Sequence, residues 1–286
     1  MNYNNILNHK DIYEIKELIK RIKGNYKGDI KKFARDENIV LMYLPIENNK
    51  NTYFSSVYLS LKNDNINFIG VNSSDYYDNQ LFAIAHELYH HYEKDEVMNF
   101  SRISLDEKEC DKREAKANRF AAEILLPEED LKIEIEKINN YNIDINDCTH
   151  EKVLRLIAKL QCEFKLSYKA IVRRLKEVNA INEHNYEYFY NLNPREKDSK
   201  YYKIGISIDK DTFEKLNEIT CEYGVEGNDL EDIILNYEDG IIDMEEFIED
   251  LSKFNKSVED FGYEEDLYID EQDLDEISSL FEDEDE

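Results

Sequence analysis

Ten residues constrain this chain more than any others: Phe82-Ala83-Ile84-Ala85-His86-Glu87-Leu88-Tyr89-His90-His91. On a helix, His86 and His90 lie four positions apart, so their imidazoles stand about one turn apart on a single face and can grip one small cation together. Glu87 sits roughly 100° around from His86, close enough to hold a water on that cation without being a ligand itself. Phe82, Ile84, Ala85 and Leu88 make the helix mostly apolar around them. The imidazoles are therefore expected to be partly buried, where each needs a partner, and a metal supplies one. His91 projects about 100° off the ligand face and reads as a supporting or surface residue.

A third ligand is expected downstream. The stretch Asp111 to Leu126 reads as a second helix ended by Pro127, which cannot continue one. Within it Glu114, Ala117 and Ala121 fall at i, i+3 and i+7, so one carboxylate leads a stripe of small residues. Small residues let two helices approach closely, and that approach lets a Glu reach a metal held by its neighbour. Glu109 and Glu123 are the competing carboxylates; Glu114 is preferred because it leads the stripe.

His86-Glu87-Leu88-Tyr89-His90 followed by Glu114-x-x-Ala117-Asn118-x-Phe120-Ala121 and closed by Leu126-Pro127 resembles the ImmA/IrrE metallopeptidases of bacteria and their mobile elements. The resemblance covers about Ile39 to Pro127 and extends more loosely to about Asn182. It implies a gluzincin-like site in which His86, His90 and Glu114 hold Zn²⁺ and Glu87 is the general base. It also implies regulated cleavage of a partner transcriptional repressor. Tyr89 stands where the family commonly has Gly, which narrows the cleft, and Leu126 stands where Met is common.

The formal charge of −29 over 286 residues argues against the whole protein gripping a phosphate backbone directly. No run approaches the roughly 20 apolar residues that span a bilayer, and the polar start Met1-Asn2-Tyr3-Asn4-Asn5 is no signal peptide. A cytoplasmic protein is the expectation. The cysteines Cys110, Cys148, Cys162 and Cys221 are far apart and form no C-x-x-C pair, so neither a disulfide framework nor a Cys-ligated zinc is indicated. Abundant Asn, Ile, Lys and Tyr with no Trp points to an AT-rich bacterial or mobile-element genome.

The architecture expected is α+β, with a small antiparallel or mixed sheet packed on the two ligand helices. Residues 1–127 form the peptidase core. Amphipathic N-terminal helices come first, then strands at 39–44, 53–61 and 66–71, the last two a hairpin around Lys62-Asn63-Asp64-Asn65. Residues 128–185 form a helical cap that resembles a helix-turn-helix. Thr149 caps its first helix, and Lys169, Arg173, Arg174 and Lys176 make its second basic.

Residues 186–258 are read as an accessory domain, α/β or helical. It begins with a linker at 186–203, then Lys203-Ile204-Gly205-Ile206-Ser207-Ile208 as a strand and a helix at 210–223. Glu238 to Phe247 imitates half of an EF-hand loop, but Leu235 and Tyr237 fall where carboxylates are needed, so a turn between helices is preferred. Residues 259–286, with no Lys or Arg, read as a disordered acidic tail.

Two functions remain in view. The favoured one is a zinc-dependent endopeptidase acting on a protein substrate. The other is a regulatory protein, of the antirepressor or antitoxin type, that keeps the fold but works by contact through its acidic C-terminal region.

Overall fold

The computed structural model describes residues 6–47, 54–61, 66–93, 99–101, 112–138, 144–254 and 256–263. The expected turn at 62–65, Cys110, Glu109 and the acidic residues beyond 263 lie outside them. By contact the chain divides into two units, residues 1–228 and 229–286.

The first unit begins with α1 (His9–Ile22), whose N-cap Asn8 and N3 residue Asp11 hydrogen-bond to each other's backbone N–H in a capping box. A shorter helix, α2 (Ile30–Asp36), leads into β1 (Ile39–Leu44). Ile39, Leu41 and Tyr43 are buried while the intervening residues are half-buried, the period of two that a sheet imposes. The hairpin expected from the sequence forms: β2 (Ser56–Leu61) and β3 (Ile66–Asn72) pair antiparallel with Ser56 opposite Val71. β3 also pairs parallel with β1.

The long helix α3 (Tyr77–Glu93) follows and is buried almost all round. It is sandwiched between β2 and β3 on one side and α4 (Lys112–Leu125) on the other. Between the two helices, β4 (Asn99–Ser101) adds antiparallel to β2, and far along the chain β5 (Gly224–Glu226) adds antiparallel to β1. The mixed sheet thus runs β4-β2-β3-β1-β5, and the fold is α+β as expected. Neither short strand is readable in the sequence, because three residues carry no clear alternation.

Beyond Pro127 come α5 (Glu128–Ile138), α6 (His150–Phe164) and α7 (Tyr168–Glu177). Thr149 accepts from Lys152 N as expected. The basic residues of α7 face the protein itself. Arg174 is fully buried and pairs with Glu123 at 2.9 Å and Glu177 at 2.7 Å. Arg173 bonds the Tyr190 hydroxyl, and Lys176 pairs with Glu183.

Residues 186–228 pack within the first unit. The expected linker contains most of α8 (Glu183–Tyr190), and the expected strand at 203–208 is instead α9 (Lys200–Ile208). Ser199 caps it by accepting from Tyr202 N, and Tyr201, Ile204 and Gly205 make a buried helical face. The alternating isoleucines mislead because α9 packs on α6, and tertiary burial overrides strand propensity. The helix expected at 210–223 stops early, as α10 (Lys210–Leu216).

The second unit is a pair of helices, α11 (Asn228–Glu238) and α12 (Met244–Lys253), closed over Leu230, Phe247, Leu251 and Val258. Tyr237 stacks on Phe247 with ring centroids 4.3 Å apart. Gly240 takes a positive φ of 69° in the intervening turn, and Asp243 caps α12. The Asp-Gly of the half EF-hand is thus a helix–turn–helix connection.

Candidate metal centre

α3 is buried almost all round because its apolar residues cover every side, and this carries His86, Glu87 and His90 inside, each at most 1% exposed. α4 packs against it, and its small residues Ala115, Ala117, Ala121 and Ala122 are all buried. That close approach brings Glu114, in the first turn of α4, onto the two imidazoles. Glu114 Oε2 stands 3.1 Å from His86 Nε2 and Glu114 Oε1 stands 3.5 Å from His90 Nε2. The two Nε2 atoms are 3.3 Å apart.

These separations test whether the group fits a metal. Ligand atoms about 2.0–2.1 Å from a tetrahedral ion stand ~3.3–3.4 Å from one another; here the two imidazole nitrogens are 3.3 Å apart, and each has a different oxygen of the one carboxylate beside it, at 3.1 and 3.5 Å. The proton count agrees. His86 Nδ1 lies 3.1 Å from Asn118 Oδ1, the contact made by the tautomer that keeps its proton on Nδ1 and leaves Nε2 free for a metal. In that tautomer Nε2 faces a carboxylate oxygen of Glu114 and Nε2 of His90, the two groups that could share a cation with it.

Negative charge gathers at the same point, where it can hold a proton or a metal cation. Burial alone would pull the His86 imidazole down, but the facing carboxylates of Glu114 and Glu87 outweigh it and hold its pKa above the ordinary 6.5. His86, His90 and Glu114 can therefore hold a metal ion.

Glu87 is fully buried beside them. Ser56 on β2 donates its hydroxyl to Glu87 Oε1 at 2.7 Å. Burial pushes the Glu87 carboxyl up, while His86, His90 and Ser56 pull the other way. A raised carboxyl beside a metal site is suited to accept a proton.

The remaining candidates separate cleanly. His91 faces away from the imidazole pair, with its Nδ1 3.1 Å from the Tyr58 hydroxyl. Glu123 lies about two and a half turns along α4 from Glu114 and is held by Arg119 at 2.7 Å and by Arg174. Sequence reasoning missed Ser56 and the role of Asn118. Asn118 left a signal, one turn after Glu114 on the same helix; Ser56 left none.

No curated protein matches the chain. No helix among the described residues is long and apolar enough to cross a membrane. The model of the IrrE N-terminal-like domain, Peptidase_M78, matches residues 34–176, half of the 286-residue chain. That span carries both ligand helices, and the chain belongs to this ImmA/IrrE metallopeptidase family.

Proposed function

We propose that this protein is a zinc-dependent endopeptidase. The convergence of two buried imidazole nitrogens and one carboxylate within 4.8 Å of one another, with a buried Glu next to the first His, carries the reading. Two imidazoles and a carboxylate are a donor set that suits Zn²⁺ and leaves a fourth position for water or substrate. Bound there, the ion would supply Lewis acidity towards water and towards a scissile carbonyl.

His86, His90 and Glu114 hold the metal. Glu87, aimed by Ser56, takes a proton from the attacking water and returns it to the leaving nitrogen. The substrate is a protein, and a DNA-binding repressor fits best. The family resemblance implies it, and a basic DNA-binding surface complements a chain of net charge −29.

Glu87→Gln is the test. The variant is expected to bind zinc like the wild type and to lose about 10²–10⁴-fold in cleavage rate, measured on a fluorescent casein and on a purified helix-turn-helix repressor. Full cleavage by the metal-loaded Glu87→Gln variant would end the general-base assignment.

A second reading is favoured by the second unit alone, which folds around its own core and is rich in Asp and Glu along α11 and α12. If the protein works by contact through that unit, Glu87→Gln leaves its biological effect intact and removal of residues 229–286 abolishes it.

A further inference from the structure

The three metal-facing atoms account for one nitrogen of His90 and leave the other. When Nε2 faces a metal, the neutral ring carries its proton on Nδ1, and that N–H needs an acceptor. His90 Nδ1 is buried and has no hydrogen-bond partner among the described residues. The carboxylate of Glu93, the last residue of α3, lies close by, with its Oε2 3.9 Å away. A movement of about 1 Å brings that pair to hydrogen-bond length, and such contacts tighten when a site is loaded.

Glu93 is itself held from two sides. Arg113 Nε donates to its Oε2 at 2.6 Å, and the Tyr89 hydroxyl donates to its Oε1 at 3.2 Å. Arg113 immediately precedes the candidate ligand Glu114. One carboxylate therefore stands beside the outer nitrogen of His90 and also ties the end of α3 to the first turn of α4. Asn118 likewise meets the outer nitrogen of His86.

We propose that Glu93 is a positioning residue of the metal centre: it accepts a hydrogen bond from the Nδ1–H of His90 and, through Arg113, holds Glu114 in register with the two imidazoles. This rests on the metal-centre reading above. Glu93 also borders an open groove of about 490 Å³ between α1 and α3, so a neutral isostere there meets solvent instead of stranding a group in the core.

The experiment titrates metal-free full-length protein with Co²⁺, following the visible bands of a tetrahedral site, and with Zn²⁺ by competition. Glu93→Gln is expected to weaken both metals by about 10- to 100-fold and to change the Co²⁺ band pattern, while the thermal midpoint of the metal-free protein stays near that of the wild type. Arg113→Gln is expected to weaken metal binding in the same direction. Lys116→Gln is the control: it breaks pairs from α4 to Asp11 and Glu14 without touching a ligand, and should bind metal like the wild type.

Wild-type affinity and spectrum in Glu93→Gln overturn the proposal, as does an equal loss in Lys116→Gln. Wild-type protein that takes up neither metal overturns the metal-centre reading itself, and this inference with it.

Discussion

Ser56 reaches Glu87 from a separate element, 31 positions away in the chain. Its hydroxyl ties the buried carboxylate to the sheet and so sets where Oε1 points. A hydrogen bond to a charged group is worth about 1.5–3 kcal/mol, which corresponds to roughly tenfold or more in rate. Ser56→Ala is accordingly expected to lower kcat/KM by about tenfold or more with zinc content unchanged. Equal kcat/KM in the two proteins would mean that the hydroxyl does not aim Glu87. The residues that could be read from sequence were those whose placement a helix alone determines: His86, Glu87 and His90 within about one turn, and Glu114 at the head of its small-residue stripe. Ser56 depends on how α3 meets β2, which no local periodicity encodes, and Glu93, although one turn from His90 on the same helix, gains its tie to Arg113 only where α3 meets α4.

Among the helices, α9 shows how packing decides between two local readings. Ile204, Ile206 and Ile208 alternate as a strand would, yet the segment is helical and Gly205 lets it close on α10. A methyl group at 205 would overlap the ring of Phe213, which is itself fully buried. In an open helix Gly→Ala stabilises by about 0.5–1 kcal/mol. Here the sign reverses: Gly205→Ala is expected to destabilise by about 1–3 kcal/mol through overpacking, seen as a lower denaturant midpoint with an unchanged slope. A midpoint equal to or above that of the wild type would show that α9 and α10 can separate without loss. β1 was readable for another reason: Ile39 to Leu44 is a short, continuous apolar run ended by Pro45, too short for a helix and bounded as a buried strand is.

At the scale of the whole molecule, the N-terminal helix is attached by charge as well as by its apolar face. Ile15, Ile19 and Ile22 bury against the core, and around them Asp11 meets Lys112 at 2.8 Å, Glu14 meets Lys116 at 2.9 Å, and Lys16 reaches Glu128 on α5 at 2.6 Å. The Lys112 bond is the largest influence on Asp11 and holds its carboxyl at about 2. Lys132 and Lys16 hold Glu128 at about 2, and Lys116 lowers Glu14. Carboxyls depressed in the folded state stabilise it fully above their ordinary values of 3.8 and 4.5, and that contribution is lost as pH falls towards about 2. Acid also neutralises a chain of charge −29, which relieves self-repulsion elsewhere in the fold. The two effects oppose each other in the body of the protein but not at α1, whose pairs only weaken. Between about pH 4 and pH 2, α1 is therefore expected to open before α3 and α4 do. Segment-resolved hydrogen exchange at about pH 5, 3.5 and 2.5 measures this: amides of residues 9–22 should lose protection first. Protection in α1 that persists to about pH 2.5 at the level of α4 would mean that its isoleucines alone suffice to hold it.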